Sequence, residues 1–132
     1  MSGPALKAQS SAVNLTCSDI HKSIKFYTDG LGFEIVHRME DGGKLQYVAM
    51  RAGSAEIGLG QDDFAKGKDR SKGVGLRIWI ATSQDIAALA GRAKAAGLKL
   101  DSGPEKLPWG PTAFALTDPD GFKLTISSPM SD

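Results

Sequence analysis

The chain has 132 residues, enough for one well-buried core and too few for two ordinary domains. Sixteen basic residues against fifteen acidic ones leave a net charge of +1, which excludes the strong positive field of a nucleic-acid binder. No apolar run approaches the roughly 18 residues of a membrane span, and residues 1–10 lack the basic start and apolar run of a secretion signal, so a cytoplasmic protein is expected.

Residues 1–10 read as a flexible tail. Val13, Leu15 and Cys17 then alternate with Asn14, Thr16 and Ser18, the period of a half-buried strand. Cys17 is the single cysteine, which rules out an intramolecular disulfide, and its apolar strand position marks a small buried hydrophobe. Ser18 or Asp19 caps a helix whose apolar face is Ile20, Ile24, Tyr27 and Leu31, and Asp29-Gly30 stops it. Strands are expected over residues 33–38, 45–51 and 55–59, separated by turns at Glu40-Asp41-Gly42-Gly43 and Ala52-Gly53-Ser54. The result is a βαβββ unit over residues 11–60.

Residues 61–73 are polar and read as a connector, with a solvated charged run around Lys66 to Lys72 and Phe64 as the one large apolar anchor. Leu76, Ile78 and Ile80 form the next alternating strand. Thr82-Ser83-Gln84-Asp85 has the spacing of a capping box before a helix bearing Ile86, Leu89, Ala90 and Ala93, which Gly97 ends. A strand over 98–101, a Pro- and Trp-bearing loop over 102–110, a strand over 112–117, a tight turn at Asp118-Pro119-Asp120-Gly121 and a strand over 122–127 complete a second unit, residues 74–128. Residues 129–132 read as a tail.

The two units are copies. Asp19-Ile20 matches Asp85-Ile86, Gly32-Phe33-Glu34-Ile35 matches Gly97-Leu98-Lys99-Leu100, and Ala55–Leu59 matches Phe122–Ile126, at nearly constant offsets. A duplicated unit that cannot bury its apolar face alone packs with its copy, so residues 11–128 form one domain, with any cleft expected where the two sheets meet. By the same offset Tyr47 and Phe114 read as equivalent; apolar residues on both faces of their strands leave their direction open.

Asp19-Ile20-x-x-Ser23-x-x-Phe26-Tyr27-x-x-x-Leu31-Gly32-Phe33, together with Trp109-Gly110 and Asp118-Pro119-Asp120-Gly121-Phe122-Lys123-Leu124, resembles the vicinal oxygen chelate family. That family includes glyoxalases, extradiol dioxygenases, fosfomycin-resistance enzymes and bleomycin-resistance proteins. The resemblance implies an α+β fold of paired βαβββ modules, forming curved sheets around a cleft with helices outside. It also implies a homodimer, since the family's cleft often closes only through dimerisation.

Metal-dependent members place ligands at the heads of the first strand of each module and in the middle of each closing strand. By the resemblance these positions fall on Ala12, Gly58, Gly75 and Thr125, none of which has a side chain suited to a divalent ion. No metal and no cofactor are therefore expected. His21 and His37 lie away from those positions, and Asp118 and Asp120 are what a tight turn demands.

If Ile78 and Ile80 pack on a helix, alternation sends Arg77 and Trp79 to the opposite, concave face, and likewise Asn14, Thr16 and Glu56. Arg77 and Trp79 either rim a dimer interface or stack on and hydrogen-bond to a planar polar ligand, chemistry that needs no metal. Trp109 is stiffened by two flanking prolines, and the resemblance sets it at the border of the cleft. Phe64 is either a lid residue or a packing plug. No P-loop, nucleophile elbow or dinucleotide fingerprint occurs. The expected function is metal-free binding of a small molecule, with sequestration of an antibiotic or planar aromatic metabolite. The alternatives are a lyase-, isomerase- or dioxygenase-type enzyme of the same family, with an atypical metal site or Glu56 as general base, and a remnant serving only as an interaction module.

Overall fold

A computed structural model describes residues 3–129. The first module comprises β1 (Ala12–Cys17), α1 (Ile20–Lys25), β2 (Glu34–Asp41), β3 (Lys44–Ala52) and β4 (Ala55–Gln61). The second comprises β5 (Arg77–Ala81), α2 (Ile86–Ala95), β6 (Leu100–Lys106), β7 (Thr112–Thr117) and β8 (Lys123–Ser127). The sheets are ordered β1-β4-β3-β2 and β5-β8-β7-β6. In each, the opening strand lies parallel to the closing strand, a pairing that requires the helical crossover between them, while the other pairs are antiparallel. Residues 3–10 are exposed and carry neither helix nor strand; residues 1–2 and 130–132 of the expected tails lie outside the described residues. Among the described residues no helix is long and apolar enough to cross a membrane.

Period-two alternation produces one apolar face per sheet. Leu15, Cys17, Val48, Met50, Ile57 and Leu59 from the first sheet join Phe114, Leu116, Leu124 and Ile126 from the second in a single buried cluster beneath the helices. Burial pushes the Cys17 thiol up to about 11, as expected of a packed hydrophobe and unlike a reactive thiolate.

Asp19 and Asp85 cap the two helices. Asp19 accepts from the amides of His21 and Lys22, and Asp85 from those of Ala87 and Ala88. The expected capping box at Thr82 is thereby corrected: Thr82, just past β5, is tied to the sheet by its amide, which donates to the Ser127 carbonyl, and a carboxylate is the stronger acceptor at a positive helix end. Beyond Lys25 the first helix widens into a π-helical turn, Phe26–Gly30. The left-handed residue that closes this end is Gly32 (φ 81°), with Gly32 N donating to Thr28 O and Phe33 N to Tyr27 O. Gly30 serves close packing instead, since a Cβ there would lie 2.2 Å from Leu98 Cδ1.

The two modules are joined on their helical side. Tyr27 Oη donates to Asp118 Oδ2 at 2.8 Å, while Asp118 Oδ1 accepts the amides of Asp120 and Phe122. The Asp120 carboxylate accepts from Ser18 N and from Ser23 Oγ, and Arg92 donates to the Asp29 and Thr28 carbonyls. Asp118-Pro119-Asp120-Gly121 is thus more than a turn, because Asp120 holds the start of the opposite module's helix and Asp118 holds Tyr27 near its end. Burial holds the Asp118 carboxyl above its ordinary range, and burial beside that carboxylate pushes the Tyr27 phenol up.

Two expectations at loops are corrected. The connector is not solvated throughout. The Lys72 side chain is only 2% exposed and meets Asp62 at 3.1 Å, and Arg70 meets the same carboxylate at 3.3 Å. Gly73 then presses against Gly121, where a Cβ would lie 2.0 Å from the Gly121 carbonyl oxygen. The stretch expected as a loop from Ser102 is extended through Lys106. Pro104 is tolerated there because β6 is an edge strand and its register shifts between Ser102 and Glu105.

Candidate functional site

Each sheet has a second face, opposite its helix. On the first sheet it carries Ala12, Asn14 and Thr16 of β1, Glu56, Gly58 and Gly60 of β4, and Tyr47, Ala49 and Arg51 of β3. On the second it carries Arg77 and Trp79 of β5, Lys123, Thr125 and Ser127 of β8, and Ala113 and Ala115 of β7. Arg77 and Trp79 do stand opposite Ile78 and Ile80, as alternation requires, and both are exposed.

Trp79 and Trp109 come together. Their ring centroids lie 6.3 Å apart with planes tilted 37°, and they remain 48% and 56% exposed. The Trp109 turn is held by Leu107 N donating to Pro111 O and Gly110 N to Leu107 O. Two half-exposed indoles on a braced turn and a strand form a wide apolar surface that loses little ordering entropy on contact.

On the first sheet the central feature is polar. Tyr47 Oη donates to Asn14 Oδ1 at 2.9 Å, and the bond passes over Gly58. A Cβ on Gly58 would lie 2.2 Å from both the Asn14 Oδ1 and the Tyr47 Oη, so the absence of a side chain there makes the contact possible. The expected equivalence of Tyr47 and Phe114 is corrected. Tyr47 pairs with Gly60, whereas the corresponding residue on β8, Ser127, pairs with Ala113. Between the equivalent rungs Arg51–Glu56 and Thr117–Lys123 the second module has one residue more, so Phe114 points into the core, 1% exposed, while Tyr47 points out of it. The signal for Tyr47 was present in the sequence: Gly58 and Gly60 on one face of a strand leave room for a large neighbour.

The expected metal positions do not fit a divalent ion. Gly58 lies beneath the Tyr47–Asn14 bond and Thr125 pairs with Trp79. The rung corresponding to Ala12 is occupied by Arg77 rather than Gly75, since Ala12 pairs with Glu56 and Arg77 with Lys123; Gly75 precedes the strand. Glu56 stands between Ala12 and Arg51, and among the described residues no three His, Cys, Asp or Glu groups converge. Thr16 pairs with Gly60, and His37 with Ala49 on the exposed edge strand.

Phe64 stands apart from both faces. It lines a groove of about 680 Å³ with Ile20, His21, Arg38, Lys44 and Asp62, its backbone at φ 61° and the Lys68 ammonium 5.9 Å from its ring. No hydrogen bond or ring contact among the described residues links the tryptophan pair to the Asn14–Tyr47 pair.

The profile of the Glyoxalase/Bleomycin resistance protein/Dioxygenase superfamily matches residues 9–126. No curated protein matches the chain. Among solved structures, TioX from Micromonospora sp. ML1 is similar at 16% identity and a TM-score of 0.76, with 92% of this chain and 98% of that one covered. TnmS3, an antibiotic binding protein from Streptomyces sp. CB03234, is similar at 21% identity and a TM-score of 0.70, with coverage of 96% and 99%. A glyoxalase/bleomycin resistance protein/dioxygenase from Nocardioides is similar at 16% identity and a TM-score of 0.71, with coverage of 97% and 87%. At these identities the likeness is one of fold.

Proposed function

The chain belongs to the Glyoxalase/Bleomycin resistance protein/Dioxygenase superfamily, and on that premise we propose that it is a metal-free homodimer that binds and sequesters a planar aromatic small molecule, an antibiotic or related metabolite. The observation that carries this reading is the half-exposed Trp79–Trp109 pair, with Arg77 two residues along the same strand face. Indoles stack on a flat ring system and a guanidinium hydrogen-bonds to its polar edge or carboxylate, without any metal. The donor set at the family's ligand positions argues the same way, since glycine, alanine, threonine and arginine there supply no imidazole or carboxylate. Likeness of fold to an antibiotic binding protein is consistent with it.

What one chain leaves open supports the homodimer. Met39 and Val36 on edge strand β2 and Trp79 on β5 are about half exposed, while the contacts between modules run on the helical side. A second copy covering those residues would turn two open faces into a closed cleft.

The test is a titration of the purified protein with planar aromatic antibiotics, followed by quenching of Trp79 and Trp109, the chain's two tryptophans. Saturable quenching is expected from a species of twice 13.9 kDa that holds less than about 0.1 divalent ion per protomer after dialysis. Trp79→Ala is expected to weaken binding about tenfold or more while leaving the fold intact, as a half-exposed anchor should. A folded dimer that binds no planar aromatic compound, or that retains one divalent ion per protomer, overturns the reading.

A further inference from the structure

Resting on that reading, we infer that the Tyr47–Asn14 pair above Gly58 is the polar anchor of the ligand site and selects planar aryl ketones over their carbonyl-free analogues. The argument begins with Gly58, a buried position on central strand β4 whose backbone φ is not left-handed. Its lack of a side chain is therefore not explained by backbone conformation. It is explained by space, because Tyr47 Oη and Asn14 Oδ1 occupy the volume a Cβ would need.

The resulting hydrogen bond fixes the chemistry offered to a ligand. Tyr47 Oη spends its proton on Asn14 Oδ1, so the hydroxyl oxygen keeps lone pairs and can only accept. Asn14 Oδ1 is occupied, which turns the amide so that both Nδ2 protons remain for an acceptor. Asn14 is exposed, and its Nδ2 meets no protein acceptor among the described residues. The pair thus presents two donors beside one acceptor, all uncharged. A ring carbonyl accepts from Asn14 Nδ2. The pair itself offers a carboxylate or phosphate no cation, so it favours a neutral carbonyl.

The duplicated architecture sharpens the assignment. Asn14 pairs with Gly58 on the first sheet, and Trp79 pairs with Thr125 at the matching rung of the second. The same strand position thus carries a polar anchor in one module and an aromatic platform in the other, which suits a ligand with a flat body and a polar edge.

The experiment compares two probes that differ only in the ring carbonyl, fluorenone carboxylate and fluorene carboxylate, by calorimetric titration of the full-length protein. Wild type is expected to prefer the ketone by about tenfold, the net value of one well-placed hydrogen bond in a partly buried site. The double variant Asn14→Leu with Tyr47→Phe removes all the donors and the acceptor. Gly58→Ala, which leaves both side chains chemically intact, pushes their ends apart at strand geometry that alanine tolerates. Each is expected to bring the preference for the ketone to about onefold. If wild type binds both probes equally, or if both variants keep the preference, the anchor is elsewhere and this inference fails while the binding function stands. If wild type binds neither probe, nor any planar aromatic compound, both fail together.

Discussion

Replacing Tyr27 by Phe isolates the bond that locks the two modules. The ring stays, so its edge-to-face contacts with Phe26 at 4.9 Å and Phe33 at 5.7 Å survive, and only the hydroxyl is lost. Tyr27 is fully buried and Asp118 is 5% exposed, so water does not readily take the place of the missing donor at Asp118 Oδ2. Hydrogen bonds to a charged group contribute roughly 1.5–3 kcal/mol, which sets the expected loss at about 2 kcal/mol. For a chain of 132 residues the unfolding entropy converts this to a midpoint about 7 °C lower. The loss should depend on pH. Burial raises the folded-state pKa of Asp118, so the proton it binds stabilises the fold below the ordinary Asp value, and that contribution disappears as pH rises through the folded value. The Tyr27 bond works against this by favouring the carboxylate, so its removal should cost most at neutral pH and least below about pH 3, where Asp118 is protonated both folded and unfolded. Circular dichroism melts of both proteins across that range provide the assay. A midpoint within about 1 °C of wild type at neutral pH, or an equal deficit at both ends of the range, would refute the lock.

Gly73→Ala should destabilise by on the order of 3 kcal/mol, read as a lower urea midpoint, because its Cβ meets backbone at Gly121 that cannot yield as a side chain does. Lys72→Met should lower the melting temperature at neutral pH and flatten the fall in stability on acidification. The Phe64 amide and Lys72 hold Asp62 below its ordinary range, so the stability it adds is present above the ordinary Asp value and is lost as pH drops through the folded one. An unchanged profile would show that the connector is not tethered there. Cys17, with its thiol raised to about 11, should resist iodoacetamide at pH 8 in the folded protein and react once the protein is unfolded in urea; rapid labelling of the native state would contradict its burial.

The order of elements and the duplication were legible in the sequence because they rest on local physics. Alternation around Leu15 and around Ile78, the carboxylate caps at Asp19 and Asp85, and the glycine stop at Gly97 each act within a few residues. The same alternation places Arg77 and Trp79 on one face of their strand, opposite Ile78 and Ile80, and Asn14, Thr16 and Glu56 on one face of theirs. What needed tertiary structure depends on groups far apart in the chain or on a count within a turn. Phe114 and Tyr47 separated onto opposite faces because the second module has one residue more between equivalent rungs, and a one-residue slip reverses every side chain in a strand. Asp118 and Asp120 became a lock because their acceptors reach residues 18 to 27, and no spacing rule relates positions so distant. The Tyr47–Asn14 bond spans 33 residues and depends on an empty volume at Gly58; only packing decides whether such space is filled, and by what.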